Sequence, residues 1–262
     1  MESMKIKVDV QGTPLEVSLL VKPGDPKNPT FLALHGLQSS KELYQGLFEQ
    51  AFMADFPCMA IDFIGFGESE KSEDFPYEIN DQLDMVVGVI ERLKIDKFHI
   101  IGHSLGGMVG TLLAQDYFRK VLSFSNLEGN LILEDSEKSA QIVGMMYGDF
   151  VQDYFPELKK NLKKSKEPSA EMRSQGLGKV AEFAFYETAQ SIMEWTGKDD
   201  LKNTFNGLRC PKIFVCGDEN EAKLKSIEDP SIVRMIPDSG HFMMLDNPKI
   251  FYKVIKQFLE EL

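Results

Sequence analysis

Residues Ile100–Gly107 read Ile-Ile-Gly-His-Ser-Leu-Gly-Gly and join two patterns of different periodicity. The apolar, β-prone residues before Gly102 predict a strand, and an apolar helical pattern begins directly after the stretch. A strand that becomes a helix within so few residues needs a tight turn, where glycine lets the two arms approach. Ser104 stands at the apex of that turn. We therefore expect its hydroxyl to project at the carboxyl end of a strand, beside the N–H groups that open a helix.

Gly102, Ser104 and Gly106 fit the Gly-x-Ser-x-Gly pattern of a nucleophile elbow, in the strand–turn–helix context that this pattern requires. In this respect the chain resembles the α/β-hydrolase superfamily. The resemblance implies an α/β-hydrolase fold: a mostly parallel eight-stranded sheet flanked by helices, with a helical lid inserted after strand 6. It also implies that Ser104 is a catalytic nucleophile. A phosphate-binding loop is disfavoured, because the stretch lacks a Gly-Lys-Ser/Thr ending and its glycine spacing does not fit a dinucleotide turn.

Apolar runs predict the strands of this sheet. Alternation at 6–10 and 15–19 predicts an antiparallel hairpin, and the continuous runs that follow predict buried strands. From about Leu131 to Phe205 the strand–helix rhythm stops and the composition becomes helical. We therefore expect a core of residues 1–130 and 206–262 and a lid of residues 131–205. Some of the lid's large side chains should line an apolar pocket. These side chains are Met145, Met146, Tyr147, Phe150, Tyr154, Phe155, Phe183, Phe185, Met193 and Trp195.

The composition limits which classes of binding partner and which cellular location we expect. The 262 residues carry 29 basic and 41 acidic side chains, a net charge of −12, which disfavours nucleic acid and anionic membranes as partners. The first residues run directly into a strand pattern without an apolar signal core, and no run has transmembrane length. The three cysteines, Cys58, Cys210 and Cys216, show neither disulfide-framework nor zinc-site spacing. We therefore expect a cytoplasmic protein without membrane insertion.

The resemblance also places the oxyanion hole and the base. His35-Gly36-Leu37 follows the third strand pattern, where the family begins its oxyanion loop. The backbone N–H groups carried over as oxyanion donors are those of Leu37 and Leu105, while the His35 side chain is interpreted as holding the loop. His241, in Ser-Gly-His-Phe after the last strand pattern, matches the position of the family's catalytic base.

The third member of the triad departs from the family's commonest pattern. Many members carry an aspartate as Gly-x-x-Asp after strand 7, but this chain has Asn220 there. Glu128 stands after strand 6, where the haloalkane dehalogenases of the superfamily place an acid. Because the ends of strands 6 and 7 are neighbours in this fold, an acid from either can approach His241. We favour Glu128, with Asp218 as the alternative and Glu219 or no acid as a further one.

Taken together, the chain is predicted to be a serine hydrolase that cleaves carboxylic esters. Its partner is expected to be a small-molecule ester with an apolar group, and the chemistry requires neither a metal nor another cofactor. Haloalkane dehalogenases and epoxide hydrolases of this fold use an aspartate where Ser104 stands, which disfavours both. A carbon–carbon bond hydrolase of the same fold remains an alternative, as does a ligand-binding receptor with a retained hydrolase pocket. The pattern does not indicate an oligomeric state.

Overall fold

A computed structural model describes residues 1–198 and 200–262, whose strands form a single eight-stranded sheet. The strands are β1 (Glu2–Val10), β2 (Thr13–Lys22), β3 (Thr30–Leu34), β4 (Cys58–Ile61), β5 (Phe98–His103), β6 (Val121–Leu127), β7 (Lys212–Gly217) and β8 (Val233–Ile236). Their order in the sheet is β1-β2-β4-β3-β5-β6-β7-β8. β1 pairs with β2 and β2 with β4 in antiparallel fashion, and all other pairs are parallel. The predicted mostly parallel sheet with an antiparallel hairpin at its start is confirmed.

Helices cover both faces of the sheet. They are α1 (Gln45–Phe48), α2 (Ile79–Arg92), α3 (Leu105–Asp116), α4 (Glu137–Val143), α5 (Tyr147–Asp149), α6 (Phe155–Lys164), α7 (Ala170–Gly178), α8 (Glu182–Thr196), α9 (Asp200–Gly207), α10 (Met243–Asp246) and α11 (Pro248–Glu260). One apolar layer packs α2, α3 and α8 against the sheet, and the other packs α1 and α11 against the opposite face. Within the described residues, none of these helices is both long and apolar enough to cross a membrane.

Helices α4 to α9 occupy most of the segment that the sequence assigns to a lid. They connect β6 to β7, two strands that are neighbours in the sheet. Residue Asp199, which the assigned segment includes, lies outside the described residues. The boundaries at 131 and 205, and the role of these helices as a lid, stay predictions.

The loop after β4 is built around a buried ion pair. Asp62 Oδ2 lies 2.8 Å from Lys41 Nζ, and Asp62 Oδ1 accepts the Lys41 backbone N–H at 2.7 Å. Both side chains are fully buried. Asp62 also accepts the Glu68 N–H at 2.9 Å, so this carboxylate joins the loop after β3 to the loop after β4. Asp62 therefore shapes this loop through its side-chain contacts.

We predict that Lys41→Met lowers the free energy of unfolding by about 3–5 kcal/mol, because it leaves the Asp62 carboxylate buried without its cation. Urea denaturation measures the change. The matched control is Lys5→Met, which removes an exposed ion pair to Glu16 (2.7 Å) and should cost about 0–1 kcal/mol. Equal, small losses in the two variants would contradict the prediction.

Candidate active site

Ser104 connects β5 to α3 in a strained backbone conformation. Its φ is 53° and its ψ is −116°, a region that residues with side chains rarely adopt. A Cβ on Gly102 would lie 2.3 Å from the Gly106 carbonyl oxygen, and one on Gly106 would lie 2.1 Å from the Leu34 carbonyl oxygen. Both positions therefore require glycine, and their close approach makes the tight turn that presents Ser104 at the carboxyl end of β5.

Glu128 and His241 are in direct contact. Glu128 follows β6 directly, with a φ of 46°, and its Oε2 lies 2.8 Å from His241 Nδ1. The carboxylate is fully buried, whereas the His241 side chain keeps 23% of its surface exposed. Because an ionised carboxylate only accepts hydrogen bonds, His241 carries its proton on Nδ1 and keeps a lone pair on Nε2. The structure thus brings together the two residues that the sequence proposes as acid and base.

Asn220 supports this carboxylate in a way that sequence reasoning missed. Its Nδ2 donates to both oxygens of Glu128, at 3.2 Å to Oε1 and 3.0 Å to Oε2. The Gly217 backbone N–H donates to Oε1 at 2.9 Å. The amide at the family's usual acid position therefore orients an acid that comes from the neighbouring strand. The signal available in the sequence was the complementarity of the pair, since an amide donates where a carboxylate can only accept.

Asp218, the alternative acid, has other partners. Its carboxylate accepts the backbone N–H groups of Asp238 and Ser239, each at 3.1 Å. These two bonds lower the pKa of Asp218. Among the described residues, neither Asp218 nor Glu219 makes a hydrogen bond to the His241 side chain. Asp218 therefore supports the backbone of the loop that leads to His241.

The loop after β3 approaches the nucleophile closely. A Cβ on Gly36 would lie 3.0 Å from the Ser104 Cβ. His35 fixes this loop from the inside: its Nδ1–H donates to the Gly36 carbonyl at 2.8 Å, and its Nε2 accepts the Phe63 N–H at 3.2 Å. Burial lowers the pKa of His35, so the ring is neutral in this arrangement. The His35 side chain thus has the structural environment that the sequence suggested.

Leu37 and Leu105 carry the two N–H groups proposed as oxyanion donors. Leu37 follows Gly36 in the loop after β3, and Leu105 is the first residue of α3. Within residues 1–198 and 200–262, neither N–H donates to a protein acceptor. Free N–H groups at a helix N-terminus and in an adjoining loop can bind an anionic oxygen. Their catalytic role stays a prediction.

The electrostatic surroundings of His241 favour the neutral ring. Its pKa lies well below the usual value, because burial disfavours the charged form and the positive charges of Lys223, Lys138 and Arg173 lower it further. A neutral His241 is the form that can accept a proton.

His103, the residue before Ser104, positions the backbone of His241. Its Nε2–H donates to the His241 carbonyl oxygen at 2.9 Å, and the two ring centroids are 4.6 Å apart. His103 is fully buried, and burial lowers its pKa well below the usual value. Through this hydrogen bond the neutral His103 ring, which is part of the elbow, anchors the loop that carries His241.

Ser104 and His241 both line a cavity of about 250 Å³. Of the ten large side chains that the sequence singled out in residues 131–205, Phe185 alone is part of its lining. Phe150 and Phe155 instead pack against Phe185 and each other, with ring centroids 5.3–6.0 Å apart. These three phenylalanine rings are fully buried and thus fill the interior of the helical segment. The remaining apolar lining is Leu37, Ile142, Ile192, Ala222 and Phe242, and the polar lining includes Asn130, Asp135, Lys138 and Lys223.

The family model for the α/β-hydrolase fold matches residues 29–248, which include the elbow, Glu128 and His241. The chain belongs to the α/β-hydrolase family. The predicted superfamily is confirmed.

Relatives whose names state an activity share either a short segment or a low identity with this chain. A probable lysophospholipase of Arabidopsis thaliana, BODYGUARD 4, is 34% identical over 92 residues, which are 34% of this chain and only 22% of the relative's length. A putative esterase/lipase of Mycoplasma genitalium is 24% identical over 258 residues, covering 92% of each chain. Among solved structures, one from a study of carboxylesterases of Nitrososphaera gargenis superimposes on this chain with a TM-score of 0.79 at 16% identity. The match covers 97% of this chain and 98% of the other. At this identity the structural likeness shows the fold alone.

Proposed function

We propose that the chain is a serine hydrolase that cleaves carboxylic esters through an acyl-enzyme on Ser104. The observation that carries the proposal is the 2.8 Å contact between Glu128 and His241, at a cavity that Ser104 also lines. Along the chain the nucleophile Ser104 comes first, the acid Glu128 second and the base His241 third. This is the usual order in α/β-hydrolases. The esterase and lysophospholipase names of relatives are consistent with this reaction.

In the proposed reaction, Ser104 Oγ attacks the ester carbonyl carbon and its proton passes to His241 Nε2. The Leu37 and Leu105 N–H groups hold the oxyanion. When the tetrahedral intermediate breaks down, the C–O bond to the alcohol cleaves and His241 returns the proton to that oxygen. A water molecule then attacks the acyl-enzyme, its proton passes through His241 to Ser104 Oγ, and the carboxylic acid leaves. Glu128 stabilises the positively charged His241 imidazole during both acylation and deacylation.

A small ester with one apolar group suits the cavity. The volume of about 250 Å³ is below the range of drug-sized pockets, and Ile142, Phe185 and Ile192 supply an apolar wall that comes from the predicted lid. We infer that the acyl or alcohol group packs against this wall. A cytoplasmic location, suggested by the three free thiols, stays part of the proposal.

A small fluorophosphonate reagent tests the proposal. The folded protein should react with one equivalent of reagent, and peptide mass spectrometry should locate the adduct on Ser104. Heat-unfolded protein is the control, since an ordinary serine is unreactive. Absence of an adduct on Ser104 in the folded protein would refute the serine-hydrolase mechanism.

The lowered pKa of His241 predicts how activity depends on pH. The base must be neutral, so kcat/KM should stay high at pH 6.5 and fall only in more acidic solution, where His241 becomes protonated. Lys223→Met removes one of the charges that lower this pKa. The acid limb of the kcat/KM profile should therefore move to higher pH in the variant.

Lys225→Met is the matched control, because Lys225 is an exposed lysine two residues along the same turn. Its profile should coincide with that of the unmodified protein. An acid limb that stays in place in Lys223→Met would contradict the assignment of that limb to His241.

A further inference from the structure

The hydroxyl of Ser104 has a second acceptor beside His241. Ser104 Oγ donates to Asn130 Oδ1 at 3.4 Å, and no hydrogen bond joins it to His241 among the described residues. Asn130 is buried and lines the same cavity as Ser104. A serine hydroxyl has one proton, so while it donates to Asn130 it does not donate to the base.

A chain of hydrogen bonds fixes which end of the Asn130 amide faces Ser104. Asn130 Nδ2 donates to the Asp135 carbonyl at 3.1 Å and to Ser136 Oγ at 3.0 Å. Ser136 Oγ donates onward to Thr196 Oγ1 at 3.2 Å, and Thr196 Oγ1 donates to the Ile192 carbonyl at 2.8 Å. Backbone carbonyls only accept, so the direction of the whole chain is determined from both ends. The amide nitrogen must point into the helical segment, which leaves the amide oxygen towards Ser104.

We propose that Asn130 is a positioning residue that competes with His241 for the Ser104 hydroxyl, and that helix α8 sets this competition through Thr196. The inference rests on the proposed function, in which Ser104 must donate to His241 before it attacks. Asn130 thereby lowers the fraction of Ser104 in the reactive orientation. The hydrogen-bond chain ends in the segment predicted to be the lid, so a displacement of α8 that breaks it would release the hydroxyl to the base.

The test is the second-order rate of Ser104 modification by a small fluorophosphonate at pH 8, where His241 is neutral. Asn130→Ala removes the competing acceptor and should raise the rate about two- to tenfold, the effect of one neutral hydrogen bond. Asn130→Asp loses the same two donated bonds but keeps an oxygen beside Ser104, so its rate should not rise. A merely structural role of Asn130 would move both variants alike.

A second pair of variants tests the hydrogen-bond chain and keeps the inference testable if Asn130→Ala does not fold. Thr196→Val removes the acceptor of Ser136 and should raise the rate to a value between the unmodified protein and Asn130→Ala. Thr188→Val is the matched control on the same helix, because the buried Thr188 hydroxyl has no partner within the described residues. Its rate should equal that of the unmodified protein.

The outcomes separate failure of this inference from failure of the proposed function. An unchanged or lower rate in Asn130→Ala overturns the inference, as does an equal rise in Asn130→Asp. If Asn130→Ala does not fold, an unchanged rate in Thr196→Val overturns it. If all variants fold and react at the rate of the unmodified protein, only this inference fails. If the unmodified protein gives no adduct on Ser104, the proposed function fails, and this inference fails with it.

Discussion

Ser104→Ala is expected to lower kcat for p-nitrophenyl acetate by roughly 10⁶-fold, the size of loss seen when a triad serine is removed. The reason is chemical, because the variant retains His241, Glu128 and the two N–H donors but lacks the oxygen that forms the acyl bond. The fold should persist, since alanine adds no atom to the turn and serine already occupies the same positive φ. Circular dichroism checks the fold, and release of nitrophenol measures the rate.

The control for this variant is Ser18→Ala. The Ser18 hydroxyl is buried in β2 and has no hydrogen-bond partner among the described residues, so its removal should leave both turnover and folding close to those of the unmodified protein. Turnover by Ser104→Ala at a rate similar to Ser18→Ala would exclude a covalent role for Ser104.

Glu128→Gln is expected to lower kcat by about 10⁴-fold, as happens when a triad acid is replaced by its amide. The contacts of the carboxylate explain why. Oε1 accepts the Gly217 N–H, so the amide oxygen of the glutamine must take that place. Its NH₂ group then faces His241 Nδ1, where it can only donate. The ring must move its proton to Nε2, and the atom that should accept the Ser104 proton is blocked.

Asp218→Asn is the matched control for the acid. Asp218 accepts two backbone N–H groups from the loop that leads to His241, and the amide oxygen can keep one of these bonds. We expect a change in kcat of no more than about tenfold. Steady-state kinetics on both variants compares them directly. Near-normal turnover by Glu128→Gln together with a collapse in Asp218→Asn would reverse the assignment of the acid.

Much of the fold could be predicted because local patterns determine it. An apolar run leads into Gly102, and a helical pattern begins after Gly106. Such a short distance between strand and helix requires a sharp connection with Ser104 at its apex, and the structure has this connection. The strands could also be predicted, because each one is encoded by a short local run of apolar residues. The residues that line the pocket were harder to predict from the sequence. Phe150 and Phe155 are aromatic residues in a helical insertion, and sequence alone does not say whether such a side chain faces a cavity or another ring.

The candidate triad divides in the same way. Ser104 and His241 lie in motifs whose residues are adjacent in sequence, so the sequence alone was enough to propose them. The choice between Glu128 and Asp218 depended on which carboxylate reaches His241, and residues 128 and 241 are far apart in sequence. Only the parallel pairing of β6 with β7 sets Glu128 beside Asn220 and Gly217, whose N–H groups turn its carboxylate towards the ring. Motifs act over a few residues and are legible in the sequence, whereas hydrogen bonds between neighbouring strand ends exist only once the sheet has formed.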